Sequence, residues 1–209
     1  MSMFSNPAVT KRFIKYLAIA TVVMFTVWVG VMWVQESGSN PGDFETRRGD
    51  IELSDGDFES AISSFDAALA AQPNHRGAWG GKAAALIALK RYKEAEAELT
   101  ELIGFLEKTL IADDPTGRGA LAAAYGNRGI IKDRQGRYEE ALKDYIASAK
   151  TDHDLAEGPG WVNRLLYHDD KPSSIMARAQ YLFEQLKLPK EKQILRLPEE
   201  DEKQRLYKP

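Results

Sequence analysis

Catalysis or metal binding in this chain would have to start from three histidines, two serine pairs and a glycine-rich run. His168-Asp169-Asp170 is the nearest approach to a metal cluster. Neighbouring residues in a turn rarely converge on one ion, so a solvated polar turn is the expectation there and at His153-Asp154. His75 also falls in a predicted turn. Ser63-Ser64 and Ser173-Ser174 have no base placed near them in sequence, which favours helix-surface or capping roles over a nucleophile. Gly77–Lys82 reads GAWGGK and lacks the GxxxxGK[ST] pattern that cradles phosphate. The chain has no cysteine, which excludes disulfides, cysteine–zinc sites and thiol nucleophiles. The expectation is no enzyme, no cofactor and no bound metal.

The charge pattern narrows the partners. The 209 residues carry a formal net charge of −3. Lys11, Arg12 and Lys15 sit in the first fifteen residues without an acid; the remaining 25 bases face 31 acids. An acidic body argues against nucleic acid, because phosphate binding needs clustered Lys and Arg.

Tyr16–Val34 runs YLAIATVVMFTVWVGVMWV, with no charge and with Thr21, Thr26 and the Tyr16 hydroxyl as its polar groups. About 20 apolar residues span the hydrocarbon core of a bilayer. Tyr16 and Trp33 stand near opposite ends, where amphipathic rings favour the interface. A cleaved signal peptide is the alternative. Its apolar region is shorter than this one, although Ser37-Gly38-Ser39 could serve as a cleavage site. The positive-inside rule then puts residues 1–15 in the cytoplasm, residues 16–34 in the membrane and the body beyond it, which is the periplasm in a Gram-negative bacterium. Residues 35–42 form a linker ending in the turn formers SGSNPG.

The body repeats itself. Gly49, Gly56, Phe58, Ala61, Phe65, Ala68 and Pro73 recur in part as Gly129, Gly136, Tyr138, Ala141 and Tyr145, with Ser148 at the next small position. A middle copy has Trp79, Ala83, Tyr92, Ala95 and Leu99, and the steps Gly49–Ala83, Phe58–Tyr92 and Ala61–Ala95 are each 34 residues. Helical spacing with glycine in the turn reads as pairs of short helices, the small residues letting the two rods approach. This pattern resembles the tetratricopeptide repeat, a 34-residue pair of antiparallel helices. The resemblance covers about Gly42 to Leu155. It implies an all-α fold: an N-terminal transmembrane helix, then a tetratricopeptide-like helical-hairpin solenoid over 43–188, with repeats at about 42–75, 76–109 and 122–155.

The copies are not regular. Ala95 to Ala141 is 12 residues too long. The second helix of the middle copy is expected to continue through ELTELIGFLEKTLIA until Asp113–Gly119 (DDPTGRG) breaks it, projecting a longer helix and loop. After a break at Gly158-Pro159-Gly160, a short helix over Trp161–His168 and a longer one opened by Pro172-Ser173-Ser174 are expected. In the latter Ile175, Met176, Ala179, Leu182, Phe183 and Leu186 recur at helical spacing, with Ala179 and Phe183 mimicking the repeat's second helix. Residues 156–188 read as a degenerate capping repeat. Residues 189–209 read as a charged mobile tail, its Ile194-Leu195-x-Leu197 either a short docking motif or a few apolar residues in a loose segment.

In the family, the first helix of each repeat lines a concave groove. The resemblance therefore points to Asp43, Thr46, Asp50, Leu53 and Ser54; to Gly77, Gly80, Ala84, Ile87 and Ala88; and to Ala123, Gly126, Ile130, Asp133 and Arg134. The carboxylate clamp of some relatives would need Lys, Asn and Arg at set positions, and Asn127 alone coincides, so that mode is not expected. The trough reads as small and apolar with an acidic entrance, suited to a helix or extended segment of a partner. Equally, the chain's own insertion or cap could cover it. The functional expectation is a membrane-anchored scaffold or assembly factor binding membrane-associated proteins. Two alternatives are an accessory subunit contacted through its transmembrane helix and a homo-oligomeric envelope protein.

Overall fold

A computed structural model describes residues 7–37, 40–111, 113–157 and 174–198, and no strand occurs among them. The chain divides into two units, 1–40 and 41–209.

The first unit is one helix, α1 (Pro7–Ser37), 31 residues long and therefore about 46 Å. It starts nine residues before the predicted span, with proline in its first turn, so Lys11, Arg12 and Lys15 ride on the same helix. The apolar stretch Pro7–Val31 is long enough to cross a membrane and none of it is buried. A helix that is apolar all round with no protein against it matches lipid surroundings. Its two threonines need no water: the Thr21 hydroxyl donates to the Leu17 carbonyl at 2.9 Å and that of Thr26 to Val23 at 2.8 Å.

The second unit is a succession of hairpins in which each helix packs mainly on its sequence neighbours. They are α2 (Asp43–Asp55) with α3 (Phe58–Ala71), α4 (Arg76–Ala88) with α5 (Tyr92–Thr109), and α6 (Pro115–Arg134) with α7 (Tyr138–Thr151). A short α8 (His153–Glu157), then α9 (Ile175–Leu186) and a 3₁₀ turn at Lys190–Lys192 follow. Residues 158–173, with the expected helix at Trp161–His168 and the His168-Asp169-Asp170 group, lie outside the described residues.

Turn chemistry sets the hairpins. Gly56 and Gly136 end α2 and α6 at φ 82° and 77°, backbone that glycine adopts without strain. The middle hairpin has Lys90 in that role at φ 59°. Asp57 accepts from the Ser60 N–H at 3.3 Å to start α3, and His75 Nδ1 accepts from the Ala78 N–H at 3.1 Å to start α4.

The insertion is not a broken loop. The long helix does end before DDPTGRG, as expected, since α5 stops at Thr109; but Asp114 accepts from the Gly117 N–H at 2.7 Å and Pro115 opens α6, so the segment starts the next helix and does not project as a loop. The Gly117 N–H and then the Arg76 guanidinium hold the Asp114 carboxyl below the usual carboxylate range. At 18 and 20 residues, α5 and α6 exceed the 13 or 14 of their counterparts. The extra residues thus add about one turn to α5 and two to α6.

Close approach explains the small residues. A Cβ on Gly49 would stand 2.7 Å from the Phe65 ring, one on Gly81 2.3 Å from the same ring, and one on Gly129 2.6 Å from the Tyr145 ring. In the middle hairpin Ala83 and Leu99 take these two places, both fully buried. Phe65, Leu86, Leu99, Leu102, Leu106 and Ile131 form the main core, and Ile130, Tyr145, Ala156, Ile175 and Leu182 a second one beneath α9.

The buried charged side chains each have an ion-pair partner. Asp144 on α7 takes both Arg128 nitrogens at 2.8 Å and Lys132 at 2.8 Å, both from α6. Asp133 takes Arg178 of α9 in a two-pronged bond at 2.7 Å and the Tyr145 hydroxyl at 3.0 Å. Partial burial disfavours the charged Lys82 ammonium, but Asp66 and Glu98, at 2.8 and 2.6 Å, outweigh it and raise its pKa.

Of the expected apolar stripe of α9, Ile175 and Leu182 are buried and Met176 and Ala179 pack against the second core, whereas Phe183 is 48% exposed and Arg178 takes a buried place beside them. Arg178 reaches Asp133 from that place, which fixes it. Residues 189–198 are not a loose tail. The Tyr181 hydroxyl donates to the Ile194 carbonyl at 2.6 Å, Arg178 donates to the Leu195 carbonyl at 2.8 Å, and Leu195 packs on the second core. Leu195 is therefore used inside the chain and the ILxL run is not a free motif.

Candidate functional site

The expected groove residues sit on α2, α4 and α6, one helix from each hairpin, held there by the glycine-enforced approach of α3, α5 and α7. Their exposure decides what they can touch. Thr46, Gly80, Ala84, Ile87, Ala123, Gly126, Asn127 and Ile130 are all buried. Asp43, Asp50, Gly77 and Arg134 are half-buried. A side chain that is buried inside its own chain cannot meet a partner in this conformation. Most of the trough of small apolar side chains is therefore not an open surface; its open or partly open members are Asp43, Asp50, Leu53 and Ser54 on α2, Gly77 and Ala88 at the ends of α4, and Arg134.

The acidic end is built around His75. Its Nδ1 accepts from the helix N–H of Ala78, so the other nitrogen carries the hydrogen, and Nε2 donates to Asp43 Oδ1 at 2.9 Å. The Thr46 hydroxyl lies 3.5 Å from the ring. A Cβ on Gly77 would meet His75 and Thr46 only at ordinary contact, 3.4 and 3.5 Å, so a small side chain there is tolerated. Asp43 is thus held by the α4 cap, and Asp50 is the other acid of that end.

At the far end the chain covers itself. Ile175 of α9 lies where a Cβ on Gly126 would be, 2.3 Å from its Cδ1, and Ile130 packs in the same cluster as Ile175 and Leu182. Asp133, another inward position, is committed to Arg178 and Tyr145. Asn127, the one residue shared with a carboxylate clamp, is 2% exposed.

The chemistry of the unit is that of packing. Among the described residues no group of three or more His, Cys, Asp or Glu could hold a metal ion. Partial burial, then the hydrogen bond to Glu107, push the Tyr125 hydroxyl up to about 12. Arg128 lies 5.5 Å from the centre of the Tyr125 ring. This pair joins the lengthened parts of α5 and α6, where it serves the hairpin.

One surface was not anticipated. Leu142, Ile146 and Ala149 of α7 and Met176, Ala179 and Phe183 of α9 border a hollow of about 440 Å³, rimmed by Lys150 and Gln180. The sequence had placed the α9 members on one apolar stripe. What that stripe did not show is that Phe183, at its edge, turns outward.

Comparison with known families agrees with this architecture. A tetratricopeptide-repeat family model matches residues 52–112, and a second matches residues 122–152. No curated protein matches the chain. The matched stretches run from the end of α2 through α5 and over most of α6–α7, and their similarity to tetratricopeptide repeats supports a protein–protein interaction role.

Proposed function

We propose that the protein is a membrane-anchored scaffold that holds partner proteins close to the bilayer and assists their assembly. The observation that carries this reading is the pairing of a repeat array with α1, a helix long and apolar enough to cross a membrane with no part of it buried. Lys11, Arg12 and Lys15 on the near flank favour a cytoplasmic N-terminus, with the repeats on the opposite side, periplasmic in a Gram-negative cell. The partners are proteins, themselves membrane-associated; a homo-oligomer is a separate alternative. A pull-down of the full chain from detergent extract recovers a stoichiometric partner. Recovery of none overturns the scaffold. Alkaline carbonate washing separates the anchor from a cleaved signal: an anchored chain stays with the membranes.

Burial supports a second reading. With eight of the twelve expected groove residues buried, a partner finds little of the trough, and α1 itself becomes the alternative contact with a larger membrane complex. Exchanging α1 for an unrelated apolar helix distinguishes the two. Partner capture survives the exchange for a scaffold and is lost for a subunit held through its membrane helix.

A further inference from the structure

The outward face of α2 is used by neither the core nor the groove. Phe44 and Ile51 lie two turns apart and are 69% and 63% exposed. They point away from Thr46 and Gly49, the buried residues of that helix. Arg47 and Arg48 flank them, both exposed. Arg47 has no ion pair among the described residues. Arg48 pairs with Glu52 at 2.9 Å while keeping 65% of its side chain in solvent. Asp55 is the acid on this face, at its far end.

Solenoid arrays close their first repeat with a polar outer face, and this one presents an aromatic ring, a branched aliphatic chain and two guanidinium groups. Five residues separate Ser37, the end of α1, from Asp43, the start of α2. Such a tether reaches at most about 20 Å. We propose that the Phe44–Arg47–Arg48–Ile51 face of α2 lies on the membrane surface from which α1 emerges. The apolar pair enters the boundary between headgroups and acyl chains, and the arginines meet anionic headgroups. The proposal rests on the anchor reading above. Area decides for lipid over a free protein partner: two apolar side chains make far less than a stable protein interface. A surface already tethered within a short linker needs little affinity of its own.

The absence of cysteine makes the test direct. Nitroxide labels are placed singly at Phe44→Cys and Ile51→Cys in the full chain. Lys93→Cys, an exposed position on α5, reports water, and Val22→Cys in α1 reports the bilayer. The chain is reconstituted in vesicles of phosphatidylcholine with a minority of phosphatidylglycerol. Collision rates are read for oxygen, which concentrates in lipid, and for a nickel chelate, which stays in water. The expected result is a shift toward oxygen at Phe44→Cys and Ile51→Cys relative to Lys93→Cys, and loss of much of that shift when Arg47→Glu and Arg48→Glu are added. If both labels match Lys93→Cys while Val22→Cys reports lipid, the surface proposal fails and the anchor stands. If Val22→Cys also reports water, the anchor reading fails and takes this proposal with it. Exclusion of both reagents at Phe44→Cys means that protein covers the face, which overturns the proposal. A shift unchanged by the two arginine substitutions overturns the headgroup contact.

Discussion

Substituting Gly49 by alanine puts a methyl group where the Phe65 ring already stands, 2.7 Å from its Cε1. Ordinary carbon contact needs about 3.5–4.0 Å, so the ring or helix α2 must move. Overpacking of this kind costs about 1–3 kcal/mol. Alanine regains about 1 kcal/mol of helix propensity over glycine, which leaves a net loss of about 0–2 kcal/mol after both effects. The middle hairpin shows the compensating pair, since Ala83 and Leu99 occupy the same two positions fully buried. Gly49→Ala combined with Phe65→Leu therefore reproduces an arrangement the fold already accepts. Phe65 is also confined by Gly81, whose Cβ would come within 2.3 Å of the ring, so shortening it relieves contact on both sides. The double substitution is expected to lose less than the sum of the single ones, with a coupling of about 1–2 kcal/mol. The measurement is urea unfolding of residues 41–209, the compact second unit, followed by helix circular dichroism for the four members of the cycle. Additivity within about 0.5 kcal/mol would show that side-chain bulk between α2 and α3 is not what selects glycine here.

Three further outcomes are expected. Lys90 holds φ 59° in the α4–α5 turn, so Lys90→Gly should raise stability by about 1 kcal/mol in the same assay; a decrease contradicts the strain. Arg178→Met removes the cation from buried Asp133 and should cost about 3–5 kcal/mol, with hydrogen exchange rising first in α9; unchanged protection of α9 contradicts the clasp. The Tyr125 hydroxyl, held up to about 12, keeps its proton in the fold beyond the pH where the unfolded chain gives it up, near 10. Its contribution to stability is whole below pH 10 and fades as pH climbs through 12, so ultraviolet titration of the folded protein should lose one late-ionising tyrosine in Tyr125→Phe.

Legibility followed how the constraint is written in the chain. Gly49, Ala61, Phe65 and their counterparts were readable because steric fit between paired helices leaves few residue types possible at each place. The start of α6 was misread because Asp114-Pro115 serves both as a helix breaker and as an N-cap followed by a first-turn proline. Only the neighbouring Gly117 N–H, bonded to Asp114, decides between them. On α9 apolar spacing picked out the buried Ile175 and Leu182 but not the arginine between them, because the partner that makes Arg178 an inward residue, Asp133, lies 45 residues away. The burial of Ala84, Ile87 and Ala123 was equally hidden. Repeat positions name which face a residue stands on and leave unsaid whether another part of the chain closes over it.

The Asp133–Arg178 clasp also has a consequence for the order in which the polypeptide matures. Contacts in the hairpins are mostly between consecutive helices, so each pair can settle as soon as it leaves the ribosome or the translocation channel. Asp133 must wait until 45 more residues have been made before its guanidinium arrives. A nascent chain halted just short of residue 178 should therefore hold its first two hairpins firmly while the third stays soft, and synthesis through α9 acts as the latch that finishes it.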